Sequence, residues 1–215
     1  MLKGQSEVIS AVLLGGVIVS LVGAAMMWGS PLVEKRTSAI EAQKNVAFLT
    51  DLYEKVKSIS ETCTGTCVES IDISIKGVFR AYNYEDFYYL PLRPDLVELN
   101  NNSITFLTPI SRGIYADNRW VSLNAPNMYK VVNYGDEPGV VTVNAHKEGD
   151  TYVALYKIWF REVDTAKKGY RTELLQGLSL NATTGKIKIS YVGKYIKPGQ
   201  AFNGKDLEVT RIKID

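Results

Sequence analysis

Histidine and cysteine are scarce in this chain of 215 residues, which carries one His and two Cys. A zinc site draws on about four such ligands. His146 lies far in sequence from Cys63 and Cys67, so no metal and no cofactor is expected. An excess of one charge is missing too. Lys and Arg number 25 against 23 Asp and Glu, a net +2, and they are interspersed. That pattern offers no basic face for nucleic acid. A third absence is local: no charged residue occurs from Val8 to Val33.

Catalytic signatures are also missing. A phosphate loop needs Gly, four residues, then Gly-Lys-Ser/Thr, but Thr184-Gly185-Lys186 runs into Ile187 and position 180 is Leu180. No Gly-x-Ser-x-Gly elbow occurs, and His146, beside Lys147-Glu148-Gly149-Asp150, reads as an exposed turn residue without a neighbouring nucleophile. A non-enzymatic protein is expected; a carboxylate pair assembled in space is the one catalytic device left open.

What the chain does have begins at its front. Met1-Leu2-Lys3-Gly4-Gln5-Ser6-Glu7 forms a short basic leader with an acidic end, and the apolar run follows at once. As a helix rising about 1.5 Å per residue, Val8 to Trp28 would span about 30 Å, enough to cross the hydrocarbon layer of a membrane. An ordinary secretory signal has a longer basic leader, a shorter apolar core and a small-residue cleavage site at the far end. Trp28 suits an interfacial anchor, and Glu34-Lys35-Arg36 marks the return to water. Pro31 predicts a kink or a short break at Gly29-Ser30-Pro31. Beyond it Ile40, Val46, Ala47, Leu49, Leu52, Tyr53, Val56 and Ile59 recur at three- and four-residue spacing among charged residues. This second half is expected to lay an apolar stripe on a folded head.

Lys3-Gly4-Gln5-Ser6-Glu7-Val8-Ile9 followed by the apolar run resembles the class III signal of archaeal type IV pilins and archaellum-like proteins. The resemblance covers roughly the first 35 residues. It implies cleavage by a prepilin peptidase between Gly4 and Gln5, with the apolar helix kept on the mature chain. It implies as partners that peptidase, the pilus assembly machinery, the membrane and further copies of the chain. In many pilins the acidic residue stands fifth in the mature chain, where it neutralises a neighbour's terminal amine; Glu7 would stand third. The role carried over to Glu7 is guidance of helix docking.

Once out of lipid, such a helix must bury its surface against copies of itself. Gly16, Ser20 and Ala24 lie four apart on one face, where neighbouring backbones could approach closely; small residues are also simply frequent in membrane helices. The competing reading is a membrane-anchored extracellular binding domain that never polymerises, or a minor pilin between the two.

After the helix the pattern changes. Cys63-Thr-Gly-Thr-Cys67 closes a tight loop in which Gly65 supplies the turn; a disulfide suits an oxidising exterior, and free thiols are the alternative. Strands are expected at Ile71–Ile75, Ser103–Leu107, Val140–Val143, Tyr152–Phe160, Lys186–Tyr191 and Leu207–Ile214. Breaks are expected at Gly77, Asn100–Asn102, Gly135–Gly139, Gly149-Asp150, Lys168-Gly169 and Thr184-Gly185. The predicted fold is α+β: leader 1–4, a long helix over 5–62 that is transmembrane or filament core at 8–28, and an extracellular antiparallel β-sandwich over 63–215.

Two sequons, Asn101-Asn102-Ser103 and Asn181-Ala182-Thr183, fall in predicted turns and make Asn101 and Asn181 candidate glycosylation sites. Tyr82-Asn-Tyr-Glu-Asp-Phe-Tyr-Tyr89 is either a contact surface or strand residues alternating between core and solvent. Charge on the two sides of the apolar run does not orient it. The resemblance, the cysteines and the sequons favour the head outside, in the membrane before assembly and on a surface filament after it, serving adhesion or related surface work.

Overall fold

In the computed structural model, which describes residues 3–82, 102–110, 119–126, 131–149, 151–175, 179–182 and 184–215, one helix, α1 (Lys3–Thr62), occupies sixty consecutive residues. Pro31 sits inside it and the helix continues through, so the short break expected there is absent. The helix stops where Cys63, Thr64 and Gly65 follow, and the Cys63 N–H still donates to the Ile59 carbonyl at 3.2 Å. A Cys63–Cys67 disulfide, with its Cα atoms 6.1 Å apart, ties this end to the first strand. Gly65 lies in the bend between the two cysteines, without a positive φ.

The strands among the described residues are β1 (Val68–Asp72), β2 (Gly77–Tyr82), β3 (Ser103–Ile110), β4 (Val121–Ser122), β5 (Val131–Asn133), β6 (Gly139–Glu148), β7 (Thr151–Phe160), β8 (Glu162–Asp164), β9 (Gly169–Leu175), β10 (Ser179–Ala182), β11 (Lys186–Lys197) and β12 (Leu207–Ile214). They form two sheets, ordered β1-β11-β12-β9-β8-β5 and β10-β2-β3-β7-β6-β4. The second sheet is antiparallel throughout. The first is mixed, because β12 pairs with β9 and β5 with β8 in parallel. The α+β layout is as expected; the two parallel pairings are a departure from a purely antiparallel sandwich. They arise because the chain visits the other sheet between each pair, through β6 and β7 or through β10.

The second half of α1 is built into the head. Ser38, Ala42, Asn45, Leu49, Leu52, Val56, Ile59 and Cys63 are all buried, alternating steps of four and three. That spacing is a 3.5-residue repeat, so the seam drifts only slowly around the helix. Phe48 and Tyr53 flank it. Ile40 and Ala47, expected on the stripe, are exposed, and the seam runs instead through the polar Ser38 and Asn45. One continuous core joins Phe48, Leu49, Leu52, Tyr53, Val56 and Ile59 of the helix to Ile187, Ile189, Ile212 and Ile214 of the first sheet and to Phe79, Phe106, Val141 and Tyr156 of the second. An aromatic run carries the contact across the second sheet: Phe48 to Phe79, Phe79 to Phe106 and Phe106 to Tyr156, with ring centroids 5.5, 4.6 and 5.9 Å apart.

Two glycines read as breaks are strand residues chosen for space. A Cβ on Gly77 would lie 2.1 Å from the Phe106 ring and 2.4 Å from the Leu107 carbonyl, and one on Gly139 would lie 2.4 Å from the Tyr53 ring. His146, expected in a turn, belongs to β6 opposite Val153 and is half-buried.

The two sheets are clasped by Asn102, immediately before β3. Its side-chain amide donates to the Phe160 carbonyl at 3.0 Å and the Thr172 carbonyl at 2.8 Å, and its side-chain oxygen accepts from the Leu174 N–H at 2.9 Å. Phe160 ends a strand of one sheet, while Thr172 and Leu174 lie in the other. Asn102 sits at φ 55°, a left-handed conformation that Asn tolerates better than most residues. Asn102→Ala leaves three buried backbone groups without partners and is expected to cost about 3 kcal/mol or more. Asn102→Gly, relieved of the φ strain, should be less destabilised by about 1 kcal/mol. Chemical denaturation followed by near-ultraviolet circular dichroism checks both, and equal stability of Asn102→Ala and the parent chain would contradict the clasp.

Candidate functional site

Among the described residues, the first half of α1 buries no side chain against its own chain. Its most apolar 18-residue stretch has a mean hydropathy of 2.2 and none of it is buried. Val12, Leu13, Leu14, Val17, Ile18, Val19, Leu21 and Val22 are exposed on all sides, and Trp28 at the far end is 81% exposed. Water penalises about 25 cal/mol for each Å² of apolar surface left uncovered. A stretch of this length and composition is compatible with membrane association.

Gly16, Ser20 and Ala24 share a face of this bare segment. A Cβ on Gly16 would meet nothing within 4 Å, so no contact of the chain's own head explains the small side chain. Ser20 donates its hydroxyl to the Gly16 carbonyl at 2.8 Å, which satisfies the one polar side chain on that face without water. Thr37 does the same toward Val33 at 2.9 Å. Gly4, Gln5 and Glu7 lie on helical backbone within Lys3–Thr62, and their side chains are outside the described residues.

Toward the end of α1, inside the head, a polar node holds the helix. Tyr53 donates its hydroxyl to the Glu137 carboxylate, the Lys57 ammonium reaches the same oxygen at 2.9 Å, and the Gly139 N–H donates to the Tyr53 hydroxyl at 3.3 Å. Burial pushes the Glu137 carboxyl up, but hydrogen bonds from Tyr53 and Lys57 and the nearby Lys57 and Arg161 charges outweigh it, leaving the group below its usual range. The Tyr53 hydroxyl is driven above its usual range, first by burial and then by Glu137. Burial lowers Lys57, and its bond and attraction to Glu137 reverse that to a net rise. Nothing in the sequence pairs Tyr53 with Glu137, because they stand 84 residues apart.

Of the residues singled out in the sequence, Cys63 and Cys67 are brought together as a disulfide. Asn181 lies in β10, paired with Val78, rather than in a turn. Asn101 is outside the described residues, and so are residues 83–89 of the tyrosine patch; Tyr82 ends β2. Among the described residues no group of His, Cys, Asp and Glu is arranged to hold a metal ion.

No protein-family model, no curated protein and no solved structure matches the chain.

The node predicts an acid limb in stability. A carboxyl whose pKa is lowered by folding stabilises above its unfolded value, 4.5 here, and loses that contribution as pH falls through the lower folded value. Tyr53→Phe removes the bond to Glu137 and should cost about 1 kcal/mol near neutral pH, a modest figure because the Glu137 side chain is 38% exposed. The difference between the two proteins should shrink once pH drops below 4.5. Urea midpoints measured across that range provide the check.

Proposed function

We propose that this protein is a type IV pilin-like structural subunit of an archaeal cell envelope, assembled through the bare half of α1. The single observation that supports the reading most is the division of one uninterrupted helix, whose second half is locked into the head while the first exposes apolar side chains all round. A membrane covers that surface before assembly, and copies of the same helix cover it afterwards. Prepilin peptidase cleaves between Gly4 and Gln5, and Glu7 guides each incoming helix beside its neighbour. Gly16, Ser20 and Ala24 allow close approach of the backbones. The head, on the outside, carries the disulfide and the candidate glycosylation sites Asn101 and Asn181, and serves adhesion or related surface work.

Two variants test this. Gly4→Phe should retain the leader and yield no filaments, whereas the parent subunit from sheared surface material should begin at Gln5. Gly16→Leu should leave the fold of the head intact, since a side chain there meets nothing in its own chain. Filament yield should nevertheless fall steeply. N-terminal sequencing and electron microscopy read both, and a parent protein that stays solitary in the membrane with its leader attached would establish the non-polymerising anchor instead.

A further inference from the structure

The helix ends before the first sheet does, and the shortfall leaves a cleft. It has a volume of about 470 Å³ and lies between the last turn of α1, the β5–β6 loop and the β9, β11 and β12 face that looks toward the helix. This places it at the end of the head opposite the bare helix. Such a volume is that of a small-molecule site.

The walls restrict the chemistry. The cleft's lysines are already matched by acids, Lys57 with Glu137 at 2.9 Å and Lys194 with Glu208 at 2.8 Å, and Arg171 is 2.8 Å from Glu173. No surplus positive charge remains for a phosphate or polyanion, since Glu61 and Asp136 also line it. What it presents is hydroxyl and aromatic surface. Ser60 and Thr172 share one hydrogen bond at 2.7 Å, which leaves one hydroxyl proton and several lone pairs uncommitted. Glu208, though paired, keeps further acceptor capacity. At the rim, Tyr134 is 81% exposed, which leaves its ring accessible to a partner.

A ring with an apolar C–H face and hydroxyls that both donate and accept complements that combination. We propose that the cleft binds a neutral carbohydrate, stacked on Tyr134 and hydrogen-bonded to the Ser60–Thr172 pair and to Glu208. The site belongs to the head alone and is independent of whether the chain polymerises.

The test uses the full chain in phosphatidylcholine nanodiscs, since sugar-headed detergents would compete. Maltotriose, mannotriose and N-acetylchitotriose are titrated with saturation-transfer NMR, with spermidine and a neutral tripeptide as other ligand classes. At least one trisaccharide should bind, Tyr134→Ala should weaken it about tenfold, and Tyr134→Phe should keep most of the affinity. Phe202→Ala, half-exposed on a different loop, should change nothing. Absence of binding by all three sugars, binding that ignores Tyr134→Ala, or selective binding of spermidine or the tripeptide would each overturn the proposal.

Discussion

The second half of α1 lies in the core that the two sheets of the head share. Leu49, Leu52 and Val56 are fully buried, and the apolar side chains around them come from both sheets. Each fully buried residue of this kind is worth about 1.5–3 kcal/mol relative to exposure. The sheets also touch directly through Asn102 and through the passage from β7 to β8, where Arg161 alone separates a strand of one sheet from a strand of the other. β2 and β9 also approach each other across the sheets. The helix supplies the length of the interface, and its 3.5-residue seam keeps one face turned to the strands over some 25 residues, from Ser38 to Cys63.

That arrangement sets the character of the other half. A helix anchored by Tyr53, Lys57 and the Cys63–Cys67 disulfide at one end cannot fold its apolar portion back onto a head whose helix-binding groove is already filled. The chain leaves this surface to be covered by something else. Ser20, bonded to its own backbone, satisfies its hydroxyl proton within the segment. The first sheet uses its opposite face differently: Glu173, nearly buried, takes Arg171 and the Tyr195 hydroxyl at 2.8 and 2.9 Å, and Arg211 lies 4.4 Å from the centre of the Tyr195 ring.

Much of this was legible in the residues. An uncharged run, a three-and-four spacing and later alternation are periodic signals, and they located the helix, its division into halves and the longer strands. The last strand, Leu207–Ile214, has the bounds expected. What escaped was carried by close approach. Gly77 and Gly139 look like punctuation, yet each is small because an aromatic ring occupies the place of its Cβ. The short strands β4, β5 and β8 have two or three residues, too few for a period to show. The parallel pairings depend on which sheet the chain visits in between. Asn102 sits within a sequon, and its clasp has no local pattern because its partners are 58 to 72 residues away. The cleft also has no sequence signature, since it exists only where α1 runs out beside strands that continue.

The single-residue passage at Arg161 bears on mechanics. Any pull delivered along the helix reaches the head through the buried seam that starts at Ser38, and toward the end of α1 Tyr53 meets Gly139 and Lys57 meets Glu137. Because Arg161 lets one sheet continue directly into the other, a load taken up by β7 is handed on to β8 without a slack loop to absorb it.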